Sequence, residues 1–253
     1  MAQLNELVEF LDGALAISSI PADRSNNGLQ IQGGDTVTTV IGAVDGCLQT
    51  YKAAAERGAD LIFVHHGESW GDSLKRLTGH TAERLRVLFK HDISLYAAHL
   101  PLDAHRELGH NAIIANTLGL RQQSTFAEYA GAEIGIRGEV DATTVADLAA
   151  LVDERLSTQS VVYSFGSREI RHVGVISGAG AGAIPECHRL GIDCLITGES
   201  GHTDYHVIRE LGDVAVIAAG HYRTEVPGVI AVLDLLKKQF DVTCEFVDFP
   251  TGL

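Results

Sequence analysis

The sequence predicts an α/β protein built from two related strand–helix units, with mostly parallel sheets and three-layer α/β/α character. Three observations lead there. Short apolar runs alternate with segments of helical periodicity along most of the 253 residues, the pattern of parallel strands buried on both faces. Three segments of the first half recur in order in the second: "VIGAVDG" (40–46) as "HVGVISG" (172–178), "RGADLIFVHHGES" (57–69) as "LGIDCLITGESGH" (190–202), and "HDISLYAAHLPLD" (91–103) as "LGDVAVIAAGHYRTE" (211–225). Each copy reads strand, Gly turn, helix, Gly-x-Asp, strand, polar loop, helix, strand, polar loop.

Taken in order, Leu4, Leu7, Val8, Leu11 and Leu15 have helical spacing, and "RSNNGLQIQGG" follows as a polar loop. Val37–Val44 reads as a strand, Leu48–Arg57 as a helix and Leu61–Val64 as a strand. Thr81–Phe89 is helical, Ile93–Ala98 a strand and Asn111–Leu118 helical. Between 120 and 170 the pattern predicts short strands at Ile134–Val140 and Val161–Phe165, with a helix at Val145–Leu156. Strands at Val173–Ile176, Cys194–Thr197, Val214–Ala219 and Val242–Val247 then alternate with helices at Ile184–Leu190, His206–Leu211 and Val226–Gln239. Residues 1–125 with 222–253 are expected to form one lobe, and 126–221 the other.

Thirty-three acids against 19 bases give a net charge of −14, with no basic cluster. A nucleic-acid backbone is therefore not an expected partner. Cys47, Cys187, Cys194 and Cys244 form no C-x-x-C pair, so neither a zinc ribbon nor a thioredoxin motif is present. Apolar neighbours make Cys47, Cys194 and Cys244 buried thiols by default. The opening "MAQLNELVEFLDGALAI" has an acidic helical pattern instead of a basic segment before an apolar block. No apolar run approaches the length of a membrane span. A reducing cytoplasm is the expected home.

The chemistry lies in the polar loops. In a parallel sheet the loops after the strand C-termini share one edge, where ligands bind. His65 and His66 follow one strand, and "HLPLDAH" supplies His99, Asp103 and His105 after the next. The matching loops of the second half carry Glu199 and His202, then His221 and Glu225. If His221 opens a helix, its i,i+4 spacing to Glu225 places the two side by side. Imidazoles and carboxylates without thiolate suit Zn, Mn, Fe, Co or Ni, and one carboxylate bridging two ions about 3.5–4 Å apart is a hydrolase arrangement. Taken singly, each residue has a plainer explanation. A lone His at a strand end is usually a satisfied structural group, and Asp103 after Pro101 is an ordinary turn residue. Four such loops at one predicted edge favour metal. Gly67 gives the chain freedom to turn after the two histidines. His80, His91, His110, His172, His188 and His206 read as surface or structural, while His105 and His202 stay open. "SGAGAG" (177–182) lacks both phosphate-loop signatures and reads as a close strand–helix turn.

The motifs "NNGLQIQG" (26–33), "IFVHHG" (62–67), "AHLPLDAH" (98–105), "LGHNAIIANTLGL" (108–120), "ITGE" (196–199) and "GHYRTE" (220–225) resemble the NGG-one-interacting-factor-three-like family, whose members are often labelled GTP cyclohydrolase 1 type 2 homologs. The resemblance runs through nearly the whole chain. It implies a duplicated α/β fold, two divalent metal ions per subunit and a toroidal homohexamer. It also implies the metal ligands His65, His66, Asp103, His221 and Glu225, with Glu225 bridging and His99 beside the metals. Many members have His-His-Pro where this chain has His65-His66-Gly67, which is expected to loosen the loop. The long insert of some members is absent between 120 and 170.

The expected function is therefore a dinuclear metal-dependent hydrolase of a nucleotide-like or heterocyclic small molecule. Opening of a guanine-type ring, as in GTP, is the favoured reaction. Glu199, His99 and His202 are the candidate proton shuttles, and Asn26, Asn27, Gln30, Glu68 and Arg223 the candidate substrate contacts. The alternative is a metal carrier or interaction protein without turnover.

Overall fold

The computed structural model describes residues 1–73, 76–166 and 169–253. The chain divides into two compact units, Met1–Leu102 with Gly228–Phe249, and Asp103–Pro227 with Pro250–Leu253.

In the first unit, β1 (Ala2–Gln3) leads into helix α1 (Leu4–Ala14), which buries Leu4, Leu7 and Leu11 on one stripe. Strand β2 (Gly28–Ile31) and the short β3 (Thr36–Val37) precede β4 (Thr39–Asp45), α2 (Leu48–Glu56) and β5 (Leu61–His66). Then come α3 (Gly79–Lys90), β6 (Ser94–Ala97) and the single turn α4 (Leu100–Asp103). The C-terminal α10 (Val226–Gln239) and β13 (Thr243–Phe246) complete a five-stranded sheet in the order β13-β4-β5-β6-β2. All neighbours in it are parallel except β2, which runs antiparallel to β6. The register Val40–Leu61–Ser94 aligns the three central strands, so their C-termini end together. Alternate residues of these strands face opposite layers. Ile41, Ala43, Ile62, Val64, Leu95 and Ala97 pack in one buried cluster with Tyr51, Ala54, Leu85 and Leu88. Gly42 faces the other way, where a Cβ would lie 2.6 Å from Leu233 Cδ1 of α10.

The second unit holds α5 (His110–Thr117), the hairpin β7 (Arg121–Tyr129) and β8 (Ala132–Thr143), α6 (Val145–Leu156) and β9 (Val161–Tyr163). Strands β10 (Ile170–Ile176), β11 (Cys194–Thr197) and β12 (Ala215–Ala218) follow, with α7 (Ile184–Arg189) and α8 (His202–Leu211) between them and α9 (His221–Thr224) after them. The six-stranded sheet has the order β7-β8-β10-β11-β12-β9, and its central three strands are parallel. Val175, Ile196 and Ile217 enter one buried cluster with residues of α5 and α6. Their neighbours Ile176, Leu195 and Val216 enter another with Ile184, Cys187 and Ile208. Both faces are therefore covered, as α/β/α layering requires.

The repeat is visible in each unit separately. The three parallel strands occur in the same order, each followed by an antiparallel edge strand. The Gly-x-Asp motif also has one job in both. Asp60 accepts hydrogen bonds from Thr38 N and Thr39 N at 2.7 and 2.9 Å, and Asp193 accepts them from Arg171 N and His172 N at 2.9 and 2.8 Å. Each carboxylate thus satisfies amides at the start of its copy's first strand.

Three readings are corrected. Gly28–Ile31 is a strand, not part of a loop. Its polar sequence follows from its position at the sheet edge. Arg121–Tyr129 is a strand that the sequence did not reveal: it is largely exposed, and Gln122 and Ala127 have φ of 50° and 62°. The units divide at 102/103 and 227/228, not at the expected 125/126 and 221/222. Ala112, Ile114 and Ala115 of α5 belong to the second unit's core, which moves the first boundary back. Cys47 is half-buried, whereas Cys187, Cys194 and Cys244 are buried.

Because Gly42 leaves room for Leu233, Gly42→Ala should destabilise the protein by about 1–3 kcal/mol. The Gly42→Ala/Leu233→Ala double variant should lose about 1 kcal/mol less than the sum of the single variants, measured by denaturant unfolding. Additive losses would show that the two positions do not share this space.

Candidate metal centre

The common end of the parallel strands in the first unit collects three imidazoles. His65 and His66 close β5, and His99 lies just past β6. Ring centroids are 4.6 Å apart for His65–His66, 5.0 Å for His65–His99 and 5.7 Å for His66–His99. One nitrogen from each ring falls within 4.8 Å of the others.

The scaffold orients all three through the same atom. His65 Nδ1 lies 2.9 Å from the Ala98 carbonyl, which can only accept, so Nδ1 carries the proton and Nε2 the lone pair. His66 Nδ1 lies 2.9 Å from Asp45 Oδ1, and Asp45 sits directly beside His66 in the parallel register. His99 Nδ1 lies 2.9 Å from Asp23 Oδ1. These bonds turn adjacent strand residues toward one another although their default directions oppose.

Asp23 is a dense junction. Its Oδ2 accepts from Asn27 Nδ2 at 2.8 Å and Leu100 N at 3.0 Å, while Asn27 Oδ1 accepts from His99 N at 2.8 Å. Burial alone would raise the Asp23 carboxyl, but the bonds from His99 and Asn27 outweigh it and hold the pKa at about 2.

The loop after His66 is clamped by Gln30. Its Oε1 accepts from Glu68 N and Ser69 N at 2.8 and 2.9 Å, and its Nε2 donates to Asn26 O and Ser69 O at 2.8 and 3.1 Å. A Cβ on Gly67 would lie 2.3 Å from Gln30 Oε1 and 2.6 Å from Ala97 Cβ. Gly67 is thus needed for space and has no positive φ, and the loop is not loosened. Asn26 donates to Ser69 Oγ and Gly71 O at 2.6 and 3.1 Å. Buried Glu68 accepts from Tyr51 Oη at 3.0 Å. Asn26, Asn27, Gln30 and Glu68 all serve this framework, while Arg223 lies over the Tyr222 ring at 5.8 Å.

In the second unit the donors are mainly carboxylates. Asp103, 7% exposed, accepts from Ser177 Oγ at 2.8 Å. Asn111 accepts from Ser177 N at 2.6 Å. His110, read from sequence as surface or structural, is fully buried, and its ring nitrogen lies within 4.8 Å of an Asp103 oxygen. His221 Nε2 is 3.1 Å from Glu225 Oε1, four residues on, and its Nδ1 is 3.3 Å from Glu199 Oε1. The hydrogen bond to buried Glu225 dominates over desolvation and raises the His221 pKa to about 9. The two carboxylates beside His221 therefore favour its protonated form. Gly178 makes room for Glu225: its φ is +61°, and a Cβ there would lie 2.4 Å from Glu225 Oε1.

His105 is a local turn group, whose Nδ1 accepts from Glu107 N and Leu108 N at 3.1 and 3.0 Å. His202 is exposed at the start of α8. Sequence reasoning missed Asp23, Asp45, Asn111 and Ser177. The repeat held a signal for two of them: Asp45 and Ser177 are equivalent in "VIGAVDG" and "HVGVISG", and each bonds a metal-ligand candidate.

The family model for Duf34/NIF3 (NGG1p interacting factor 3) matches residues 2–251. The chain belongs to the Duf34/NIF3 family. Among curated members, the GTP cyclohydrolase 1 type 2 homolog of Deinococcus radiodurans is 45% identical over 250 residues, covering 98% of this chain and 94% of the relative. That of Pyrococcus horikoshii is 45% identical over 251 residues, covering 98% and 99%. Among solved structures, TTHA1606 from Thermus thermophilus superposes with a TM-score of 0.92 at 38% identity over all of both chains. Reduced HcgD from Methanocaldococcus jannaschii gives 0.86 at 25% identity over 98% of each. This Duf34/NIF3 chain thus has relatives of matching length and fold.

The depressed Asp23 carboxyl has a testable consequence. Its folded pKa is below the unfolded value, so its stabilisation is present above pH 3.8 and lost as pH falls through about 2. Wild type should lose roughly 2 kcal/mol more than Asp23→Asn across that window, read from unfolding curves at each pH. Parallel losses in the two proteins would refute the assignment.

Proposed function

We propose that this protein is a metal-dependent hydrolase of a nucleotide-like or heterocyclic small molecule. In this reading it holds two divalent transition-metal ions (Zn, Fe, Mn, Co or Ni) on His65, His66, Asp103, His221 and Glu225. One observation carries the reading: His65, His66 and His99 all commit Nδ1 to the scaffold while their ligand atoms converge. His172 and His188 also bond carboxylates through Nδ1, so it is the convergence of the three rings, together with that fixing, that favours metal at His65, His66 and His99. Buried Asp103 and Glu225 and the lack of thiolate suit the same ions.

Divalent ions held there supply Lewis acidity and bring the ionisation of water toward neutral pH. The chain's own residues supply orientation and proton transfer. His99, with its Nδ1 proton on Asp23, accepts a proton at Nε2, and the Asp23 carboxylate stabilises the resulting imidazolium. Asp45 does not move protons; it holds His66 in place. Glu199 is engaged with His221 and His202 is exposed, so His99 is assigned the shuttle role in preference to them. Relatives named GTP cyclohydrolase 1 type 2 homologs favour a guanine nucleotide as substrate. Family membership also supports a toroidal homohexamer, which sedimentation would measure, and the four free thiols suit a reducing, cytoplasmic setting. Among the described residues no helix is long and apolar enough to cross a membrane.

Protein purified without a histidine tag should contain about two equivalents of transition metal per chain, and His65→Ala should lose it. Asp45→Ala should bind metal about 10–100-fold more weakly. GTP turnover should disappear in Glu225→Ala. Equal turnover in wild type and Glu225→Ala would reject the hydrolase, and bound metal without turnover would favour a carrier.

A further inference from the structure

The chain has one tryptophan, Trp70, and the structure places it on the rim of the histidine cluster. Its ring centroid is 4.9 Å from that of His99, at 72°, and 6.1 Å from that of His66. Trp70 is half-buried and contributes to none of the described core clusters of its unit. Indole is the largest aromatic surface a chain can offer, and here it is placed beside polar rings, not in the apolar layers.

The position is also rigidly built. Indole Nε1 donates to Gly67 O at 2.9 Å, and the Trp70 amide donates to Ser73 Oγ at 2.7 Å. Trp70 forms an antiparallel bridge with Ser25, and Gly71 N donates to Arg24 O at 2.7 Å. Gln30 holds the same loop from within. The polar handle of the ring is therefore satisfied inside its own loop, so a ligand would meet the indole through its apolar π-surface. Fixing the ring beforehand lowers the entropy cost of binding on it.

We infer that Trp70 is the stacking platform for a planar heteroaromatic ring, a purine or pterin, and so selects the substrate class of this site. The inference rests on the proposed hydrolase reading for what happens to that ring, though not for its binding. A ring parallel to the indole keeps the 72° angle to His99, an edge arrangement and not a second stack. Stacking on an aromatic side chain is tolerant of base identity, so Trp70 selects for ring planarity, and polar groups elsewhere would distinguish one base from another.

Trp70 is its own reporter, because no other tryptophan contributes emission. GTP and guanosine should quench its fluorescence saturably, and ribose 5-phosphate should not. By calorimetry, Trp70→Leu should bind GTP about tenfold or more weakly, while Trp70→Phe stays within about threefold. Leucine is apolar and nearer to phenylalanine in size but has no π-face, so comparing the two variants separates stacking from apolar packing even if Trp70→Ala does not fold. Metal content should be unchanged in both variants, since indole is not a ligand. GTP binding by Trp70→Leu as tight as wild type would overturn the inference. So would failure of GTP and guanosine to bind metal-loaded wild type, and the metal reading would survive that result. Metal-free protein that binds guanosine through Trp70 would reject the metal reading and keep the platform. Metal-free protein that binds neither compound would reject both.

Discussion

The site depends on one repeated interaction: an imidazole Nδ1 bonded to a fixed acceptor. A histidine at a strand end has two ring nitrogens and several rotamers, and a site built from three of them would ordinarily be disordered in both respects. Each Nδ1 bond removes the rotamer choice and the tautomer choice together. Parallel register makes this possible for His66, because it puts Asp45 beside it on the next strand. The continuation of β6 does the same for His65 by presenting the Ala98 carbonyl. The buried apolar strands thus serve the chemistry by fixing where their polar ends emerge.

The second unit uses the same framework for a different charge. Its equivalent of Asp45 is Ser177, a neutral donor that bonds a carboxylate, Asp103, in place of an imidazole. A carboxylate at position 177 would repel Asp103, and a serine at position 45 would orient His66 without stabilising positive charge on it. Duplication preserved the positions, and the residue at each position follows the charge of the group it holds. The shared job of Asp60 and Asp193, satisfying strand-start amides, shows that the scaffold part of the repeat did not diverge in this way.

Around the first unit's cluster, polar side chains that the sequence alone offers as substrate contacts instead hold the loops. Gln30 makes four hydrogen bonds, which uses all that a primary amide can offer. Such a framework commits these side chains to the loops, which is why the proposed recognition surface is an aromatic ring.

The sequence by itself determined the α/β class, the repeat and the loops that carry the chemistry, because apolar periodicity and repeated motifs are local properties. Val145–Leu156, Cys194–Thr197 and Val226–Gln239 were legible to the residue, since amphipathic or largely apolar runs there end at clear boundaries. His65, His66, Asp103, His221 and Glu225 were drawn together as a candidate set only by position after strands and by family resemblance. Only the tertiary structure decided the rest. The exposed strand Arg121–Tyr129 owes its existence to pairing with β8, not to its own pattern. Asp23 reaches His99 across 76 residues, and no local signal marks a carboxylate whose partner is so distant. Gly67 and Gly178 are explained by atoms from remote segments that fill the space a side chain would need. Long-range bonds and close approach are properties of the packed chain, and they chose the orientations of His65, His66 and His99.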